Sequence, residues 1–573
     1  MPLDTEATPL GIGAVALLLA LFYGGTLLMS LSIRRRKENA DRYMTAGNNI
    51  GFGISAASMT ATWIWASSMY ASVTAGYTYG VSGPIHYGLW GALMILFIYP
   101  FGRRIRTVAP RAHTLAEVMY ARHGRSSQLM LAGSNVLGSL ISLTSNFIAG
   151  GALIAVLSPL NFGAGILVVA GGVLLYTLWS GFRASVLTDF AQVVAMLGAA
   201  VVVIPVVFFA AGGPGMFEAG VAAGHVTPQQ ESFFSSEAFM NQGAPYIAAV
   251  LAYAIGNQTI AQRLFAVRED LIRPTFVTAT VGYGATVIGI GMLGVMALYL
   301  GIDPMGGDVN NLMPQMVSTY LGPVLLAVAF LMIIGSLSST ADSDLSALSS
   351  IVMADIYGQS VGRSAADPRT MLLIGRLTMI VATAAALYFA TSQFNILDLL
   401  VFVGALWGCL VFPVIASFYW PKVTNAAFTV SVLAALAFFL PVRFGWLPAV
   451  GAWGLAVELL ATIGIGVVLG IMAFGFFGLR PAVMTGTLAV AVSAPFTFFF
   501  LRDYEVLSGS LVAYAVSFLV CYLMSVRSGQ DFDFERIQHV TGNFDDTSTA
   551  EQEDPDEDPD DLVLASDRPG PRS

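Results

Sequence analysis

Charge is what this sequence has least of. Only 11% of its 573 residues are Asp, Glu, Lys or Arg, against 56% hydrophobic. A soluble globular chain carries about a quarter charged residues, so an ordinary soluble enzyme is excluded. Cysteine is almost absent, and Cys409 and Cys521 both lie in apolar stretches. That leaves no disulfide framework and no CxxC zinc pattern. The five histidines (His86, His113, His123, His225 and His539) are scattered without metal-ligand spacing. No HExxH, GxSxG or GxxxxGK[ST] segment occurs, so the residues give no support for a hydrolase or a nucleotide-driven machine. Glycine, in contrast, is plentiful at 59 residues. Small residues let helices approach closely in lipid.

The useful unit is therefore a membrane span of about 20 residues. The first apolar run, 10–33, is followed by Arg34-Arg35-Arg36-Lys37. A cleaved leader has its charges first, so this run reads as a retained helix. Further spans are expected near 50–75, 79–101, 129–157, 163–181, 184–212, 244–262, 274–301, 321–350, 370–391, 396–420, 424–441, 452–478, 482–501 and 507–526, about fifteen in all. Basic residues at 34–42, 103–125, 183, 263–273, 363–376, 422, 480 and 527 fall on one face, and only Arg443 and Arg502 on the other. The basic face is expected to be cytoplasmic, with the N-terminus outside and the C-terminus inside a plasma membrane. The basic segment 103–125 is explained by topology, with no nucleic-acid partner. Residues 531–573 hold 14 of the 35 acids and 3 of the 26 bases, so the net charge of −9 belongs to the end of the chain. Residues 527–573 are expected to be a disordered acidic cytoplasmic tail, since a stretch such as Glu551–Asp561 offers little apolar area to bury.

Polar groups inside lipid each need a reason. The densest set is Gly335–Ser350, which contains Ser336, Ser338, Ser339, Thr340, Asp342, Ser343 and Asp344. Its hydroxyls suit either a tight helix interface or a hard-cation site, because such cations take several oxygens. Trp63 and Trp65 lie mid-span among small residues. That suits a helix that unwinds and exposes backbone carbonyls, or aromatic core packing. Tyr253 and Gly256-Asn257-Gln258, followed by Gln262-Arg263, suggest a second interrupted span or an interhelical amide bond. Asp189 follows Gly181-Phe182-Arg183 and either serves an ion or pairs with an arginine. Asp398 and Glu458 read as solvated span ends. The spans of 50–212 and those of 244–420 form two groups of five, which enter the membrane from opposite sides. Each group opens with an interrupted span, the sequence pointer to an inverted-repeat carrier with a midplane site.

Three segments carry a family resemblance: Ser339-Thr340-Ala341-Asp342-Ser343 continuing to Ser349-Ser350 and Asp355-Ile356-Tyr357, Gly181 to Gln192, and Gly256-Asn257-Gln258 with Gln262-Arg263. From about residue 10 to 420 the chain resembles the sodium:solute symporter family. Tyr79-Gly80-Val81-Ser82-Gly83-Pro84, Ala109–Thr114, Tyr120–Gly124 and Thr62-Trp63-Ile64-Trp65 are similar to its urea active transporter branch. His86 departs from that branch, which tends to carry an aromatic before Tyr87. The resemblance implies an all-α polytopic membrane protein with a LeuT-like 5+5 fold: an extra helix at 10–33, repeats at 50–212 and 244–420, and peripheral helices at 424–526. It implies a sodium site with hydroxyls from Ser339 and Thr340, carbonyls from Ala61, Ile64 and Ser336, and Asp189 just outside the ligand set. It places Trp63, Trp65, Tyr87, Trp90, Tyr253 and Asn257 at a substrate cavity. The expected activity is sodium-coupled symport of a small polar solute such as urea, with no enzymatic role. Proton coupling through Asp342 and Asp344, another solute (an amino acid, short carboxylate or polyamine) and a passive channel are the alternatives.

Overall fold

The computed structural model describes residues 10–33, 40–361, 366–498 and 500–541. Arg34–Lys37 and the acidic run Glu551–Asp561 lie outside them. The described residues are helical throughout, with no strand and a single isolated parallel bridge, Ile50 to Val267. Twelve helices are long and apolar enough to cross a membrane, and Phe162–Leu178 is a shorter apolar helix.

The chain opens with α1 (Ile12–Ile33). The next expected span is two helices, α2 (Phe52–Trp63) and α3 (Ala66–Tyr79). Then come α4 (Ser82–Leu96), α5 (Ile98–Val108), the short α6 (Leu115–His123) and α7 (Arg125–Leu157). Helix α8 (Phe162–Ala210) has 49 residues. Straight, it would measure about 74 Å at 1.5 Å per residue, far beyond a hydrocarbon layer of about 30 Å. Gly181 breaks it with φ 54° and ψ −147°. That backbone favours glycine, and a Cβ there would meet the Tyr43 ring at 2.6 Å.

The second interrupted span is α9 (Ala244–Gly256) and α10 (Gln258–Ala266). Helices α11 (Ile272–Leu300), α12 (Pro323–Ser350), α13 (Pro368–Ala390) and α14 (Ile396–Tyr419) follow. Helix α12 is the spine: it packs against α2, α7, α8 and α13 and is buried from Ala329 onward except at Leu331. The bridge ties the two interrupted spans together, because Ile50 N–H donates to the Ala266 carbonyl (3.0 Å) and Arg268 N–H to that of Ile50 (3.3 Å).

Four further helices, α15 (Asn425–Arg443), α16 (Gly451–Phe477), α17 (Leu479–Thr497) and α18 (Glu505–Val526), pack mainly on one another and on α14. Glu458 is not a solvated end. It is fully buried in α16, and its Oε1 accepts the Arg502 N–H at 3.0 Å. The chain folds back there and carries a donor to it. The disordered tail also starts later than its charge suggests. Phe532 N–H donates to the Pro421 carbonyl (3.3 Å), Arg122 stacks over the Phe532 ring (4.0 Å), and α19 (Glu535–Val540) follows. Two aromatics, Phe532 and Phe534, supply apolar area amid the acids. Burial pushes the Arg122 guanidinium down to about 10, while it donates to the carbonyls of Ser417, Trp420 and Pro421.

Candidate functional site

Both interruptions are built from backbone that leaves the helical region. Ile64 has φ −77° and ψ 70°, and Trp65 is extended at φ −66° and ψ 147°. Asn257 is extended at φ −102° and ψ 117°. Its Oδ1 accepts the Thr259 N–H (2.9 Å), so the side chain caps the new helix. Gly256 allows a close approach, since a Cβ there would meet Trp407 at 2.7 Å.

The first break turns its carbonyls toward α12. The Ser336 hydroxyl donates to the Ile64 carbonyl. Thr340 Oγ1 donates to the Thr62 carbonyl (3.1 Å) and to that of Ser336 (3.3 Å). The Ser339 hydroxyl donates to Asp189 Oδ1. All of these groups are buried, as is Ala61 in the last turn of α2. The α12 hydroxyls therefore meet the carbonyls of Thr62 and Ile64, neutral oxygens of the kind that hard cations take.

Asp189, in the second arm of α8, is the hub of the wider network. Its Oδ2 accepts Ser58 Oγ (2.6 Å), Thr62 Oγ1 (3.3 Å) and Arg263 Nη2 (2.9 Å). The two sequence readings of Asp189 thus coexist: one oxygen meets Ser339 and the other an arginine from α10. Arg263 also donates to Ser343 Oγ (2.7 Å) and Ser58 Oγ (3.0 Å), and lies over the Phe182 ring (5.3 Å). Asp342 is held separately by the hydroxyls of Tyr176 (2.8 Å) and Ser185 (2.6 Å). The neighbouring Gln262 ties α10 to Met44 O (2.6 Å) and Ser350 Oγ (2.9 Å).

Beside the first break is an aromatic cavity with about 270 Å³ of empty space, part of it open to solvent. Trp63, Trp65, Tyr87 and Tyr253 line it, together with Ser68, Tyr246, Tyr283, Leu400, Gly91 and Met94. None of these carries a formal charge. Trp63 packs edge-on to Trp65 (5.5 Å) and Tyr253 (6.0 Å), and its Nε1 donates to the Gly91 carbonyl (3.1 Å). Tyr87 donates to Ser68 (3.1 Å), whose hydroxyl shares a bond with Tyr283 (3.4 Å). Trp65 Nε1 is buried without a partner.

Two expected cavity residues are not in the lining. Trp90 stacks on His86 and donates to its Nδ1 (3.1 Å). Asn257 spends its side-chain oxygen on the α10 cap. Tyr246 and Tyr283, which sequence reasoning missed, show one local signal, a tyrosine within an apolar span. Only tertiary packing brings them to the cavity.

A spine helix packed against paired broken helices, with oxygens and a cavity at one break, defines a secondary transporter of the LeuT-like kind. The computed structure matches a Na⁺-coupled sialic acid symporter, solved substrate-bound and outward-open, with a TM-score of 0.64 and 18% identity, covering 84% of this chain and 97% of that one. The sequence model of the sodium:solute symporter family matches residues 43–433, and the chain belongs to that family. Among curated relatives, it is 26% identical to a probable urea active transporter 1 of Schizosaccharomyces pombe over 74% of this chain and 67% of that protein. It is 25% identical to the high-affinity proline transporter PutP of Bacillus subtilis over 70% and 86%. The protein is a multi-pass membrane symporter of a small-molecule solute, not an enzyme.

Proposed function

We propose that this symporter couples inward sodium movement to uptake of a small neutral polar solute, urea or a close relative. The observation that carries the reading is the uncharged aromatic cavity directly beside the oxygens of the first break. Aromatic faces stack on a planar solute while its edges hydrogen-bond. Trp65 Nε1 supplies a donor that no protein group uses. A carboxylate solute would find no cationic side chain in the lining.

Sodium would bind between α2 and α12, at the carbonyls of Ala61, Ile64 and Ser336 and the hydroxyls of Ser339 and Thr340, with Asp189 behind Ser339. Thr62 O, which already receives Thr340, is a further ligand. One sodium crossing about 100 mV releases roughly 2.3 kcal/mol. A tenfold gradient adds about 1.4 kcal/mol. Together these support solute accumulation of about a few hundredfold. The twelve long helices, the Phe162–Leu178 arm and the two broken pairs make fifteen crossings. In this reading 50–212 and 244–420 are inverted repeats, and the N-terminus lies outside the plasma membrane.

The test is uptake of labelled urea, proline, short carboxylates and polyamines into proteoliposomes, with sodium and proton gradients imposed separately. Sodium-driven urea uptake is expected. Transport of proline or a carboxylate without urea would overturn the solute assignment, and flux indifferent to both gradients would overturn coupling.

A further inference from the structure

One polar face remains unused by the cavity and by the oxygens of the first break. Gln128, Asn135, Ser139, Ser142 and Asn146 recur along α7 at helical spacing and share one side of it. Each is at most 4% exposed. Gln128 donates to Asp355 Oδ1 (3.1 Å) at the end near Arg125. Eighteen residues on, Asn146 Oδ1 accepts the Ser67 N–H (3.4 Å), two residues past Trp65. Between those ends, the hydroxyls of Ser139 and Ser142 face Asp344 of α12.

Asp344 is 2% exposed, and its Oδ2 has no hydrogen-bond partner. Neither have Ser142 Oγ, Ser67 Oγ or both polar atoms of the Asn135 amide. Buried polar atoms in native proteins are nearly always paired, with protein or with water. A bare carboxylate inside a membrane is far costlier than a bare hydroxyl. Arg263 is the charged side chain that acts on Asp344, but its nitrogens are engaged by Asp189, Ser343, Ser58 and the Thr259 carbonyl. The other nearby acids, Asp189 on α8 and Asp342 on α12 itself, have their own donors. Along this face α7 offers only amides and hydroxyls.

We propose that Asp344 is the carrier of an exchangeable proton, moved in addition to the cation at Ser339 and Thr340, with the polar face of α7 as its hydrated route. The inference rests on the symport reading. Two facing hydroxyls are too few for a metal cation, which takes several oxygens. A carboxyl needs one proton, and as the neutral acid it can donate to a hydroxyl. Water at the cavity end gives up the proton past Ser67 and Asn146. One O–H bond forms at the Asp344 carboxyl. It breaks again when water on the Asn135 and Gln128 side takes the proton, so one positive charge crosses per cycle.

Full-length protein in proteoliposomes tests this. By pH-difference infrared spectroscopy, the wild type is expected to show a protonated-carboxyl stretch that vanishes as pH rises. Asp344→Asn should lose that band, and Asp344→Glu should keep it. With external urea as the probe, sodium equal on both sides and a pH dye trapped inside, the wild type and Asp344→Glu should acidify the lumen. Asp344→Asn should not, while its sodium-dependent urea counterflow persists. A carboxyl band unchanged in Asp344→Asn, or acidification that survives there, overturns the proposal. A wild type that fails to move urea overturns the solute reading instead, and the infrared band still decides Asp344.

Discussion

Asp189→Asn is the most discriminating single change at this site. The carboxylate is fully buried and accepts from Ser58, Thr62, Ser339 and Arg263. Asparagine keeps the shape but turns one acceptor oxygen into a donor. It must then fail either Ser339 or Arg263. Removing one partner of a buried ion pair costs about 3–5 kcal/mol, and losing a group that orients a metal ligand costs about 10–100-fold in affinity. The sodium concentration for half-maximal uptake should therefore rise about 10–100-fold, and the Tm of the purified protein should fall. Adding Arg263→Met removes the unpaired guanidinium. The double variant should recover much of the lost Tm without recovering sodium affinity. The assay is initial uptake against sodium concentration in proteoliposomes, alongside thermal unfolding of all four proteins in the cycle. A folded Asp189→Asn protein with wild-type sodium dependence would refute the reasoning, because Asp189 would then serve only to neutralise Arg263.

Thr340→Ala and Ser339→Ala should each raise the sodium requirement while leaving Tm nearly intact; unchanged sodium dependence in both would remove the ion site from α12. Trp63→Ala should weaken urea half-saturation more than sodium half-saturation, and urea should compete for uptake better than sugars; equal effects on both would make Trp63 a packing residue. Trp65→Phe keeps the ring and deletes the free indole N–H, so urea affinity should fall by about 0.5–1.5 kcal/mol, measured by competition at fixed sodium. Asn257→Ala should cost about 1 kcal/mol of stability through the lost cap and leave solute affinity alone; a selective loss of solute binding would return Asn257 to the cavity. Gly181→Ala should destabilise by about 1–3 kcal/mol, from positive-φ strain and the clash with Tyr43, read as a lower Tm.

The span plan was legible because length and apolarity alone decide what can cross a bilayer. The first break was legible for a sharper reason. Alternate residues on a regular helix point about 200° apart, so Trp63 and Trp65 can share one cavity only if the chain unwinds between them, and their rings are 5.5 Å apart. The same geometry shows why Trp90 was misplaced. It sits three residues beyond Tyr87, about 300° around α4, and that rotation takes it to His86 on its own helix. Nothing local marks Tyr246 and Tyr283, which reach the cavity from α9 and α11. Glu458 misled because charge near a span end ordinarily means water, and only the fold brings the Arg502 N–H to it. Local sequence thus exposes what a segment must bury or unwind, while the partner that satisfies each polar atom is a long-range fact. The serine-rich face of α12 illustrates the difference. Its composition announced a polar seam, but composition could not divide that seam between the α2 carbonyls, the Asp189–Arg263 pair and the unpaired Asp344. Those three destinations have different chemistry: neutral oxygens for a metal ion, a fixed internal cation, and an acid left open for a proton.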